Sequence, residues 1–189
     1  MAGVAGPMLR ESRSTGMRFL TGLVVGSLVT ALVLALALVV TGDALTSALP
    51  FGVRASVAAA VLISLAVLDI VNRTPHVWRQ VPQRLVRELP AGQLGLVWGA
   101  DLGTLVSTQK TTSLIWGSLA ACVLLDPGTA AVLAVAVSLI ATLVIGASSH
   151  LPTAGFQHAR PIRTLVPLVR KFSGALLALT GVFVVLELF

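Results

Sequence analysis

Apolar residues run along this chain in blocks of about twenty, and polar residues gather between the blocks. A window of about 20 residues predicts membrane-crossing helices over 19–41 and 55–71, a third within 93–125, a fourth over 129–148 and a fifth over 172–189. Gly, Pro and Asp mark the connections TGDALTSALPFGVR, NRTPHVWRQVPQRLVRELPAG, DPG and HLPTAGFQHARPIRTLVPLVRK as turns and stops. No heptad, low-complexity tract or alternating strand pattern appears. The fold class expected is therefore all-α: a polytopic helical membrane protein of about five transmembrane helices. Residues 1–17 read as a flexible cytoplasmic N-terminus and 18–189 as a single helical membrane domain. The first apolar run, at about 22 residues, exceeds the 7–15 of a signal-peptide core, so it reads as a retained first helix.

The third block breaks the pattern. Thirty-three helical residues would measure about 50 Å, against a hydrocarbon core near 30 Å. The segment is therefore either steeply tilted or broken, and the polar run STQKTT at 107–112 is where a break would fall. On a helical wheel Asp101, Thr104, Thr108 and Thr112 share one stripe. Gly95, Gly99 and Gly103 share another, with Lys110 and Gly117 on roughly that side; together with Gly22 and Gly26 of the first helix they have the small-xxx-small spacing that lets helices approach closely in lipid. Asp101 and Lys110 point to opposite sides of a straight helix. A charge facing lipid costs about 2.5–3.5 kcal/mol on insertion scales, so each needs a polar partner or water. Asp69 and the Thr104 and Thr108 hydroxyls are the candidates. Otherwise Asp101 is interfacial and Lys110 snorkels.

Composition fixes the class that the pattern suggests. The chain is 56% hydrophobic and 11% charged, with a mean hydropathy of +0.97; soluble domains are about a quarter charged. The net charge of +6 does not mark a nucleic-acid binder, because the basic residues sit at the ends of the apolar blocks. Arg10, Arg13 and Arg18 precede the first helix; Arg73, Arg79, Arg84 and Arg87 follow the second; Arg160, Arg163, Arg170 and Lys171 follow the fourth. Five spans with a cytoplasmic N-terminus place every cluster inside, as positive-inside bias requires, and put the C-terminus at the outer face of a plasma or inner membrane. Cys122 has no second cysteine to pair with.

The chain also echoes itself. Residues 22–33, GLVVGSLVTALV, match 95–106, GLVWGADLGTLV, at Gly, Leu, Val, Gly, Leu and Val. Repeats in membrane proteins commonly bracket a site near the midplane, whereas chance agreement in a Gly- and Leu-rich chain is the plainer reading. Other motifs fail. Ser107 to Lys110 fits S-x-x-K but lacks its companion elements, a P-loop would need glycine at Gln109, and His76, His150 and His158 lack ligand spacing. Trp78, Trp98 and Trp116 read as interface anchors or packing residues.

The stretch LVRKFSGALLALTGVFVVLEL at 168–188 resembles the last helix of the cytochrome-c-biogenesis and disulfide-reductase transmembrane family, and glycine-bearing helices with an internal echo are similar to that group and to small amino-acid exporters. The chain lacks the family's paired membrane cysteines and Pro-Cys break, so no catalytic residue carries over. The resemblance implies a small-exporter-like scaffold without thiol chemistry. Two functions stand at this point: a small transporter-like protein moving a polar solute past Asp101, Thr104, Thr108, Lys110 and Thr112, or a non-catalytic assembly subunit of a larger membrane complex, packing through Gly22, Gly26, Gly95, Gly99 and Gly103. Neither is an enzyme or needs a cofactor or metal. The partners expected are the lipid bilayer and a second copy or another membrane protein.

Overall fold

A computed structural model describes residues 8–9, 12–75, 85–105, 112–149 and 160–187. These residues are helical, with no strand among them: α1 (Arg13–Ala48), α2 (Phe51–Ile70), α3 (Leu85–Glu88), α4 (Ala91–Gly103), α5 (Leu114–Leu125), α6 (Pro127–Ser149) and α7 (Arg160–Leu186). Four are long and apolar enough to cross a membrane: α1, α2, α6 and the Leu165–Leu186 part of α7. The third block, expected to be either steeply tilted or broken, is divided into α4, of 13 residues, and α5, of 12.

Two helices outrun their sequence patterns. α1 continues past 41 to Ala48 because nothing before Pro50 breaks it, and the Thr46 and Ser47 hydroxyls turn back onto the carbonyls of Asp43 and Ala44 (2.9 Å each). α7 begins at Arg160 and runs through Pro167, where 160–171 had the look of a connection. Pro161 stands in its first turn, where a missing N–H costs nothing. α6 opens with a cap: Thr129 donates its hydroxyl and its amide to the Asp126 carboxylate, and Pro127 follows as the first helical residue. Those two bonds hold the exposed Asp126 carboxyl below the usual carboxylate range.

The contacts divide the chain into two compact units. The first comprises α1 up to Leu34, α3, α4 and α6 from Ala134 onward. Its buried centre is Phe19, Leu23, Leu94 and Trp98, with Ile145 packed against it. Phe19 and Trp98 meet edge to face, ring centroids 5.9 Å apart.

In this unit α1 and α4 run parallel with their backbones in contact. A Cβ added to Gly22 would strike the Gly92 carbonyl and lie 3.0 Å from Leu96 N; one added to Gly95 would strike the Phe19 carbonyl and lie 2.9 Å from Leu23 N. Gly26 meets Leu96 O and Ala100 N, while Gly99 meets Leu23 O and Ser27 N. Each contact maps onto its counterpart under the shift of 73 residues that relates the two echoing segments (22 to 95). The echo is thus also a geometric exchange: equivalent positions on the two helices face one another about a local two-fold axis. Gly103 extends the seam against Ser27 and Ala31, and the place equivalent to Gly103 is held by Thr30. Close approach of this kind brings Cα–H groups onto facing carbonyls.

The second unit holds α1 from Ala35, α2, α5, the start of α6, and α7. The small and apolar stripe Ala55, Ala58, Ala59, Leu62 and Ala66 of α2 is buried, as is Asp69 near its end. Gly174 and Gly181 of α7 admit the stripe closely, facing the carbonyls of Ala66 and Ala59. Leu177 and Ala121 complete the core from α7 and α5.

Candidate functional site

α2 ends in a pair of reversed hydrogen bonds, Asn72 N to Asp69 O (3.1 Å) and Arg73 N to Leu68 O (2.8 Å), with Asn72 at φ 59. This is the left-handed helix ending that Asn tolerates. Arg170 of α7 donates to the Asn72 carbonyl (3.2 Å). One turn back, Asp69 is fully buried. Its carboxylate accepts the Thr74 hydroxyl, the Ser113 amide, the Ser113 hydroxyl and the Ser173 hydroxyl, each at 2.8 Å. A buried carboxylate is costly unless its lone pairs are used; here donors converge on it from the α2 ending, the start of α5 and α7.

Ser113 is the N-cap residue of α5. Its N–H and hydroxyl therefore place a negative group at the positive end of that helix, where the helix dipole favours it. The opposite end is matched in kind. Arg54, at the start of α2, donates Nη1 to the Leu124 carbonyl (2.8 Å), in the last turn of α5, and Nε to Leu49 O (3.2 Å). Its guanidinium lies 5.7 Å from the Phe51 ring centroid. Arg54 and Asp69 are fifteen residues apart, about 22 Å of helix, and the twelve residues of α5 rise about 18 Å. One antiparallel neighbour thus supplies a charge to each end of the short helix.

α4 ends differently. Asp101 lies in its last turn, with Thr104 as the C-cap residue, and the Thr104 hydroxyl donates to the Asp101 carbonyl (2.8 Å). Leu105 follows at φ 54, an unusual backbone for a buried leucine. The stripe Asp101, Thr104, Thr108 and Thr112 is therefore not carried on one helix: α4 stops at Gly103, and Thr112 stands just before the α5 cap. Thr108 and Lys110 lie outside the described residues. Asp69, a candidate partner for Asp101 and Lys110, instead bonds Thr74, Ser113 and Ser173. Ser113 and Ser173 carry no local signal, being brought to Asp69 by the fold rather than by any motif spacing.

A smaller polar group lies in the first unit. Thr142 of α6 donates one hydroxyl hydrogen between Ser27 Oγ (2.9 Å) and Ser138 O (2.8 Å). Ser138 Oγ and Trp98 Nε1 are buried without a hydrogen-bond partner among the described residues. Trp98 is a core residue here, resolving the choice between anchor and packing. No group of three or more His, Cys, Asp or Glu side chains suited to a metal occurs among the described residues. Comparison with family models, with curated proteins and with solved structures finds no match.

Proposed function

We propose that this integral membrane protein is a small transporter-like scaffold that moves a polar solute without thiol redox chemistry, and that the interruption of its third apolar segment is where the solute is handled. The observation that carries this reading is the ending of α4: a helix of 13 residues that stops with a carboxylate in its last turn. Partial negative charge already gathers at a helix C-terminus, so Asp101 there opposes the helix dipole. Interrupted helices mark solute sites in many carriers, and irregular backbone at membrane depth is tolerated where it is enclosed by protein or lines water. The alternative, a non-catalytic subunit docking through Gly22 and Gly26 or Gly95, Gly99 and Gly103, needs those faces open, yet they are the faces α1 and α4 turn to each other.

The test is efflux from proteoliposomes loaded with labelled neutral and cationic amino acids. Wild type is expected to exceed empty vesicles, and Asp101→Asn and Lys110→Met, made separately, to insert and accumulate normally but lose at least about tenfold in rate, the scale of losing one well-placed polar contact. Equal efflux from wild type and both variants would return the assembly-subunit reading to the front.

The proposed orientation has the N-terminus in the cytoplasm. In a Cys122→Ser background, a cysteine at position 45 should react with an impermeant reagent from outside intact cells and one at position 80 only after permeabilisation; the reverse would overturn the orientation.

A further inference from the structure

The seam between α1 and α4 has two flanks. One is filled by Phe19, Leu23, Leu94 and Trp98. The other is open, a groove of about 610 Å³ walled by Arg18, Thr21 and Val25 of α1 and Gln93 and Leu96 of α4, with Gly22 and Gly92 among its lining. The groove is graded along its length. Arg18, Thr21 and Gln93 lie toward the starts of the two parallel helices, whereas Val25 lies seven residues beyond Arg18, about 10 Å further along. Val25 and Leu96 are exposed and continue into Val24, Val29 and Val97, also exposed, so this flank borders lipid in a membrane-spanning chain.

The polar end presents donors and positive charge. Among the described residues no Asp or Glu lines it. The first intrahelical bond of α4 is Leu94 N to Pro90 O (2.9 Å), so the amides of Ala91, Gly92 and Gln93 precede it and are not used within the helix. They lie level with Arg18, whose carbonyl is 3.8 Å from where a Gly92 Cβ would be. An occupant therefore needs an anionic head that accepts hydrogen bonds, joined to an apolar tail that runs two helical turns inward.

We infer that this groove holds one anionic phospholipid, its phosphate against Arg18, Thr21 and Gln93 and an acyl chain along Val25 and Leu96. A zwitterionic lipid fits less well, because its ammonium would find no carboxylate among the described residues of the lining. Basic pockets between helices hold anionic headgroups by the same chemistry.

Native mass spectrometry of the purified protein, mixed with phosphatidylglycerol or phosphatidylcholine of matched chains, tests this. Wild type should retain one phosphatidylglycerol in preference to phosphatidylcholine. Arg18→Gln should reduce that preference about fivefold, the scale of one basic residue at a lipid surface. Arg13→Gln, which removes the same charge from an exposed position off the groove, should leave it unchanged. Val25→Trp, which obstructs the apolar end at an exposed site, should lower retention of both lipids, and glycerol phosphate should fail to displace the bound lipid. Equal retention of the two lipids by wild type, equal effects of the two arginine variants, unaltered retention in Val25→Trp, or displacement by glycerol phosphate would each overturn the inference. Helical content by circular dichroism separates a lost site from a lost fold, and the wild-type comparison stands on its own.

Discussion

Asp69→Ala is expected to destabilise the protein by about 3 kcal/mol, since each buried donor left without its acceptor costs about 1–3 kcal/mol and the hydroxyls can partly rearrange. The Ser113 amide would lose its acceptor at the head of α5, and the hydroxyls of Thr74, Ser113 and Ser173 would be left to rearrange. Asp69→Asn should cost less, about 1–2 kcal/mol. Its amide oxygen can keep the Ser113 N–H, while its NH2 can donate to hydroxyls that turn to accept. Thermal unfolding in detergent would rank the three proteins. Cys122, on α5 and partly buried, offers a second measure: its thiol should alkylate faster once α5 loses its anchor. Asp69→Ala melting with wild type would show that the carboxylate does not hold α5.

Gly99→Leu should be among the most damaging glycine substitutions in the first unit. A side chain there starts on the Leu23 carbonyl and 2.8 Å from Ser27 N. Both are backbone atoms, so no rotamer change relieves the collision and the helices must separate. Overpacking ordinarily costs about 1–3 kcal/mol where side chains can move; Gly99→Leu should exceed that range and abolish accumulation of folded protein. Gly146→Leu is the matched control, since a Cβ there meets nothing within 4 Å. Similar yields and elution profiles for the two variants would refute backbone contact between α1 and α4.

Much of the architecture is legible in the chain because lipid imposes a simple demand: long apolar runs must be helices. The division of the third block is legible from length and polarity together, since STQKTT sits at the middle of a segment too long for one straight span. The extension of α7 is not, because Pro161, Pro167 and the arginines read as loop while their spacing leaves a helix able to form. The glycine faces are visible in the sequence, but their partner is not; the 73-residue echo held that information without stating that the two copies touch. The environment of Asp69 is the least legible. Ser113 and Ser173 are 44 and 104 residues away, and a serine beside a helix start or a glycine has many ordinary reasons to be there. Only the antiparallel packing of α2 with α5 and α7 makes them partners.

The charges at the two ends of α5 also have a mechanical meaning. Asp69 and Arg54 belong to one continuous helix, so they act as fixed end stops. Sliding α5 toward either stop lengthens the bond at the other, and turning it about its axis swings Ser113 and the Leu124 carbonyl away from both. α5 is therefore a post rather than a lever.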